Sequence, residues 1–308
     1  MFKINIIFET NKLEVFSQTD VISHFKRRQT YMNNLSESEQ ITYSTVRIEC
    51  EYQDKSSGTG TGFFFQFLKD ETTGSHVPVV ITNKHVINGS TKGRLIFTKA
   101  NATGEPLDTQ HFEVYFDNFE TFWRKHPAND VDLCAMTIAP FLAEASKKGE
   151  KLFYISLDKS ILPTSQQLTD FSALEEILMV GYPNGIWDNV NNKPILRKGV
   201  TATHPNFDYC GKREFMIDAA CFPGSSGSPV FIFNEGGYRD KRGNTYMGSS
   251  RVILLGVLYA GPQHTAQGDI QIVNVPTVDR PIAISRIPNN LGLIIKSERI
   301  LELENLFK

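Results

Sequence analysis

The chain has 308 residues, a formal charge of −2 and four cysteines, none of them in a CxxC pair. So even a charge balance offers no electrostatic footprint for nucleic acid or an anionic membrane, and the cysteine spacing does not suit a zinc site. The longest apolar run, VILLGVLYAG from Val252, stops far short of the roughly 18 residues that a membrane span requires.

Residues 1 to 40 read as a polar, weakly periodic extension. The opening MFKINIIFETNKLEVF is interrupted by Glu9 and lacks a small-residue cleavage site, and Glu14 and Asp20 do not suit an organellar transit peptide. The expectation is a cytoplasmic protein with reduced thiols. LSESEQ, from Leu35, places Ser36 and Ser38 where a short capped helix begins.

From Ile41 the texture changes to short β-branched and aromatic runs: ITYSTVRIECEY, GFFFQF, VPVVITN, RLIFTK and HFEVYF. A second series follows, with EILMVGYP, GVTATHP, EFMIDAA, SPVFIF, RVILLGVLYAG and IQIVNV. The stretch between, about 139 to 165, reads as a connection. Many short strands without alternating long helices predict an all-β barrel or sandwich. SERILELENLFK, with Ile300, Leu303, Leu306 and Phe307 at helical spacing behind Ser297, predicts a terminal amphipathic helix over 297–307. GTGTG, at Gly58 to Gly62, is no phosphate loop, because the strand-like FFFQF follows it where that motif needs a helix.

CFPGSSGSPVF, from Cys221, crowds three serines between glycines and prolines, and raises the question of a nucleophile. An activated serine needs an imidazole base and a carboxylate that orients it. Among seven histidines, His85 stands out at the end of the apolar VVITNKHVI. In NDVDLCAMTI, Asp132 directly precedes the apolar LCAM, whereas Asp130 sits further out, as a turn former.

His85, Asp132 and Ser226 follow the chain order of the trypsin-like (chymotrypsin-fold) serine peptidases, and the segments around them resemble that family. GTGFFF resembles its opening strand, TNKHV its histidine turn and VDLCAM its aspartate segment; VGYPNG and RKGVTAT resemble the start of its second barrel. DAACFPGSSGSPVF resembles the nucleophile loop of the HtrA-type members. The resemblance implies two six-stranded antiparallel β-barrels, about 41–150 and 160–292, with the C-terminal helix completing a peptidase domain over 41–308. It also implies that Ser226 is the nucleophile, that the amides of Gly224 and Ser226 form the oxyanion hole, and that no metal or cofactor is needed.

Several departures carry expectations of their own. Ser225 replaces the aspartate that pairs with a new N-terminus in zymogens, so activation by N-terminal clipping is not expected. Val86 stands where secreted relatives carry a cysteine, and regulation by a PDZ domain is not expected. In the family's register Ala220 and Cys221 floor the specificity pocket, and Tyr259, Ala260 and Gly261 line its wall. A small uncharged floor predicts an apolar P1 residue, with His264 the one candidate for favouring an acidic one. The function expected is a serine endopeptidase acting on a protein or peptide, with no nucleic-acid or membrane partner. The rival is an inactive pseudo-protease that binds peptides in the same cleft; a cysteine hydrolase using Cys221 fails on register.

Overall fold

The computed structural model describes residues 35–261, 263–267, 284–288 and 290–308, so most of the expected N-terminal extension lies outside the described residues. The first described element is the helix Glu37–Thr42. Ser36 Oγ accepts the Glu39 N–H, and the Glu39 carboxylate accepts the Ser36 N–H at 2.7 Å, which satisfies two orphan donors of a six-residue helix.

Eight strands follow: β1 (Thr45–Tyr52), β2 (Ser57–Phe67), β3 (Val77–Thr82), β4 (Ser90–Ala100), β5 (Pro106–Asp117), β6 (Arg124–Lys125), β7 (Cys134–Thr137) and β8 (Lys151–Phe153). They form one antiparallel sheet in the order β5-β4-β1-β2-β3-β7-β6, with β8 on β4. The GTGTG glycines lie inside β2, in line with their reading as strand. Alternation along β2 sends Phe63, Phe65 and Phe67 into a core shared with Leu178, Phe231 and Leu254 of the second half, while Phe64 faces the first half's own interior. A strand buried on both faces explains why FFF is continuously apolar.

The second half contains β9 (Glu176–Gly181), β10 (Ile195–Thr201), β11 (Glu214–Asp218), β12 (Pro229–Asn234), β13 (Gly237–Arg239), β14 (Thr245–Met247), β15 (Arg251–Ala260), β16 (Gln263–Gln267), β17 (Ile284–Pro288) and β18 (Leu291–Lys296). Six of them close a barrel in the order β10-β11-β18-β15-β12-β9. Hairpins β13-β14 and β16-β17 stand apart from it. The barrel is filled by Ile177, Met179, Phe215, Val230, Ile232, Leu255 and Ile294, among others.

The expectation of two six-stranded barrels is therefore corrected: the first half is an eight-stranded sheet that does not close. β6 is only two residues long and follows a 3-10 turn, Phe119–Phe122, so backbone pairing from β5 across to β6 is not made. Aromatic packing takes its place, with Phe116, Phe119 and Trp123 in a chain of ring contacts at 4.9 and 5.7 Å. The expected connection also carries structure of its own, with the helix Ala139–Lys147, β8 and the 3-10 turn Lys159–Ile161, and the helix Ser165–Asp170 begins at its end.

The terminal helix is corrected too. It is α-helical only over Glu298–Leu301 and winds on as a 3-10 helix over Glu302–Phe307, while Ser297 makes no capping bond with its side chain. Ile300 and Leu303 are buried as the apolar spacing requires, and Phe307 docks on Phe67 at 5.6 Å. Among the described residues no helix is long and apolar enough to cross a membrane.

Candidate active site

The histidine turn is built at the end of β3. After Thr82 the chain enters a one-turn helix, Lys84–Ile87, in which Val86 and Ile87 are buried and His85 is thrown outward. The His85 side chain is 46% exposed, enough for its ring to meet a substrate. Two side chains of this turn tie it to the aspartate segment: Asn83 Nδ2 donates to Asp132 O at 2.7 Å, and Lys84 Nζ donates to Ala128 O at 2.9 Å.

Asp132 then closes the arrangement. Its Oδ1 accepts the His85 backbone N–H at 3.0 Å, and its Oδ2 lies 2.5 Å from His85 Nδ1. A carboxylate in this position holds the proton on Nδ1, which leaves Nε2 as the basic nitrogen. Asp130 is exposed at the surface, so of the two candidate aspartates it is Asp132 that meets the ring.

The serine loop has the opposite character, with backbone doing most of the work. Ser225 and Ser228 are fully buried, whereas Ser226 is half-buried. Gly224 and Gly227 have φ of +81° and +87°. A Cβ on Gly224 would come within 2.6 Å of Tyr182 O, so space as well as torsion requires glycine here. The Asn184 N–H donates to Pro223 O at 2.5 Å. In a trans peptide the N–H lies opposite the C=O, so this bond turns the Gly224 N–H the other way. The amides of Ser225, Gly227 and Ser228 are bonded to Phe222 O, Leu258 O and Ser225 O, while those of Gly224 and Ser226 meet no acceptor among the described residues. Two such donors, one of them the amide of the half-buried Ser226 itself, are suited to an oxyanion.

Thr61 brings the two halves together. Its N–H donates to Ser226 O at 2.9 Å and its Oγ1 to Gly224 O at 3.1 Å, while Oγ1 also accepts the Tyr182 N–H. Thr82, three residues before His85, donates from Oγ1 to Thr61 O at 2.7 Å. The serine loop is thus docked on the strand that adjoins the histidine turn. Neither Thr61 nor Asn184 stands out in the sequence, although both lie inside segments, GTGFFF and VGYPNG, that resemble the family.

The residues expected to line the pocket lie on one strand and beside two: Tyr259 and Ala260 end β15, Gly261 follows it, and Ala220 and Cys221 follow β11. Leu258 exchanges backbone bonds with the serine loop, so Tyr259, Ala260 and Gly261 run on beside it. The Tyr259 hydroxyl donates to Glu214 Oε2 at 2.9 Å, and burial, with that carboxylate, pushes its phenol pKa up, so its ring is tied to β11. A Cβ on Gly292 would lie 2.7 Å from Cys221 Sγ, and one on Gly261 3.9 Å from Cys221 Cβ, so Cys221 sits between these two glycines. Burial pushes its thiol up to about 11, unsuited to a nucleophile. The side chain of His264, in β16, lies outside the described residues.

Ala220 adds a feature the sequence reading missed: its carbonyl accepts a bond at 2.8 Å from Nη1 of Arg197, a buried residue of β10. A guanidinium thus stands against the residue expected to floor the pocket. The signal was present in ILRKGVT, where strand alternation puts Arg197 on the same face as the buried Thr201.

Residues 60–237, more than half of the chain, match the model of the trypsin-like peptidase domain. The chain belongs to that family. The matched span includes His85, Asp132, Gly224 and Ser226. Among solved structures the peptidase domain is similar to the HtrA-type protease AlgW with tripeptide, at 14% identity and a TM-score of 0.41, covering 86% of this chain and 60% of that one. It is also similar to Deg5, at 19% identity and a TM-score of 0.39 over 77% of this chain and 86% of that one. A third likeness is to the active form of the Rv3671c protease from M. tuberculosis, at 12% identity and a TM-score of 0.40 over 96% and 90% of the two chains. A comparison with curated proteins finds no match.

Proposed function

We propose that this peptidase domain is a serine endopeptidase in which Ser226 is the nucleophile, His85 the general base and acid, and Asp132 the residue that orients the ring. The observation that carries the reading is the pair of amides at Gly224 and Ser226 that meet no acceptor among the described residues, with the Gly224 peptide oriented by Asn184. Supporting it, Asp132 binds His85 at Nδ1 and leaves Nε2 to take a proton.

In the reaction, His85 Nε2 removes the Ser226 hydroxyl proton as Oγ attacks the scissile carbonyl carbon. The carbonyl oxygen becomes an oxyanion that accepts from the Gly224 and Ser226 N–H groups. His85 returns the proton to the leaving amine, and the C–N bond breaks to give an acyl-enzyme. Water, deprotonated by His85, then attacks the ester; the acid departs and Ser226 recovers its proton. The substrate class is protein or peptide. We place the activity in a reducing compartment, in keeping with the free thiols of Cys50, Cys134, Cys210 and Cys221.

Labelling with a fluorophosphonate probe, followed by peptide mapping, tests the assignment. The adduct is expected on Ser226 and absent from Ser226→Ala, whose hydrolysis rate should fall by about 10⁶-fold. An adduct on Ser225, or equal losses in Ser225→Ala and Ser226→Ala, would overturn it. A folded wild-type chain that binds peptides but forms no adduct would instead be the peptide-binding pseudo-protease.

A further inference from the structure

Behind the serine loop lies a buried cation that the mechanism does not use. Arg197 is 9% exposed, and its Nη1 donates both to Ala220 O at 2.8 Å and to Ser225 Oγ at 2.6 Å. These two acceptors bracket Cys221 to Gly224, the segment containing the peptide whose orientation sets the oxyanion hole. Ser225 itself is fully buried and lies directly between the amides of Gly224 and Ser226, which meet no acceptor among the described residues.

No carboxylate pairs with Arg197 among the described residues, and its Nε and Nη2 are buried without a hydrogen-bond partner. Burying a guanidinium without a counter-charge is unfavourable, and a fold selected for stability alone would place an apolar side chain there. What the guanidinium does bond is the loop, at two points. The loop's opposite side is held by the Asn184 N–H on Pro223 O and by Thr61 Oγ1 on Gly224 O. Arg197 supplies the hold from behind.

We infer that Arg197 is a positioning residue that clamps the oxyanion loop in its competent conformation, through Ser225 and Ala220. The inference rests on reading Ser226 as the nucleophile. It gives Ser225 a definite role: a neutral hydroxyl at this position accepts from an internal guanidinium, so the loop is locked by a residue of the barrel itself. The loop then needs no newly cut N-terminus to order it. The clamp touches neither substrate nor reacting atoms, so its loss acts on turnover far more than on binding.

The test compares the full chain with Arg197→Gln, Arg197→Lys and Ser225→Ala. Arg197→Gln is expected to lower kcat by about 10²-fold, the scale of losing one oxyanion donor, with KM within about threefold of wild type. Affinity for a peptide aldehyde, whose adduct carries the oxyanion, should weaken in step with kcat. Arg197→Lys should retain more activity than Arg197→Gln. Hydrogen exchange should quicken across residues 221–226 and stay unchanged in the barrel strands. A folded Arg197→Gln with kcat within threefold of wild type, or with unchanged exchange in the loop, overturns the clamp. If Arg197→Gln does not fold, Ser225→Ala decides: it should lose about tenfold in kcat and quicken the same exchange, and wild-type values for both overturn the proposal. Where both variants fold, Ser225→Ala should cost nothing further in the Arg197→Gln background, and full additivity counts against the clamp. The exchange measurement needs no turnover, so it judges the clamp separately; a wild-type chain without a Ser226 adduct counts against the peptidase reading alone.

Discussion

Asp132 meets His85 twice, with Oδ1 on the backbone N–H at 3.0 Å and Oδ2 at Nδ1 at 2.5 Å. One carboxylate therefore sets both the position of the turn and the tautomer of its ring. Asn83 and Lys84 add two more bonds between the same segments, so the turn does not depend on the carboxylate's charge to keep its place.

That division predicts how Asp132→Asn behaves. The amide keeps the size of the side chain but presents an N–H where Nδ1 needs an acceptor, so the imidazole takes the wrong tautomer. Turnover should fall by about 10⁴-fold, with little change in stability. Asp130→Asn, at an exposed position, should stay near wild type. Steady-state kinetics on a peptide substrate, together with thermal unfolding, check both; reversed effects would make Asp130 the orienting residue.

Gly224→Ala tests the proposed oxyanion loop from the backbone side. The new methyl would have to share space with Tyr182 O, at 2.6 Å, and hold a φ of +81° that an L-residue avoids. The peptide 223–224 should rotate, releasing Pro223 O from Asn184 and withdrawing the Gly224 donor. The expected loss in kcat is about 10²- to 10³-fold, with KM changed much less. Wild-type kcat in this variant would show that the Gly224 amide is not a donor to the transition state.

The parts of the site that were legible in the sequence are local ones. TNKHV, VDLCAM and GSSGSP each carry a family resemblance within a few residues, so His85, Asp132, Gly224 and Ser226 could be proposed without knowing how the sheets pair. For Arg197 alternation marks only the face shared with Thr201; its partners Ala220 and Ser225 are reached only once β10 curves into the barrel beside β11. Tyr259 shows the same limit, since its hydroxyl is claimed by Glu214 from a different strand. The open first half was illegible for a related reason: six strands or eight, closed or open, turns on whether β5 reaches β6, and a short turn of aromatic residues fills that gap. Strand existence is written in alternation along the chain, whereas closure is decided between segments far apart in it.

Asp158, in the connection between the two halves, should give stability an acid limb. Burial raises its pKa, but bonds from Ser160, Lys69 and Gln66 outweigh that and bring it down to about 2. The folded state thus gives up this proton more readily than the unfolded chain. Its contribution is complete above about pH 4 and is lost as pH falls toward 2. Urea unfolding of wild type and Asp158→Asn should differ by about 2 kcal/mol at pH 6, and the gap should narrow as pH drops through this window. A gap that is constant with pH would mean that the carboxylate's charge contributes nothing there.

Arg251 and Glu175 supply a prediction about stability apart from catalysis. Arg251 Nη2 donates to Glu175 Oε2 at 2.7 Å, with the two side chains only 13% and 5% exposed. Glu175 also accepts the Ser172 N–H at 2.8 Å, and Arg251 Nε donates to Asn234 Oδ1 at 3.0 Å while its guanidinium lies over the Tyr238 ring. A pair this enclosed adds little over a well-packed apolar pair, but breaking it from one side strands a charge. Arg251→Met, which leaves the Glu175 carboxylate buried and unpaired, should therefore destabilise by about 3–5 kcal/mol. Replacing both, as Arg251→Met with Glu175→Leu, should recover most of that loss. Arg251 opens β15 and Tyr259 nearly ends it, roughly 25 Å further along an extended strand, so kcat of the folded fraction should be unaffected. Denaturation midpoints for the two single variants and the double variant measure the coupling, and a single variant as stable as the double one would show that the carboxylate finds water or another donor once Arg251 is gone.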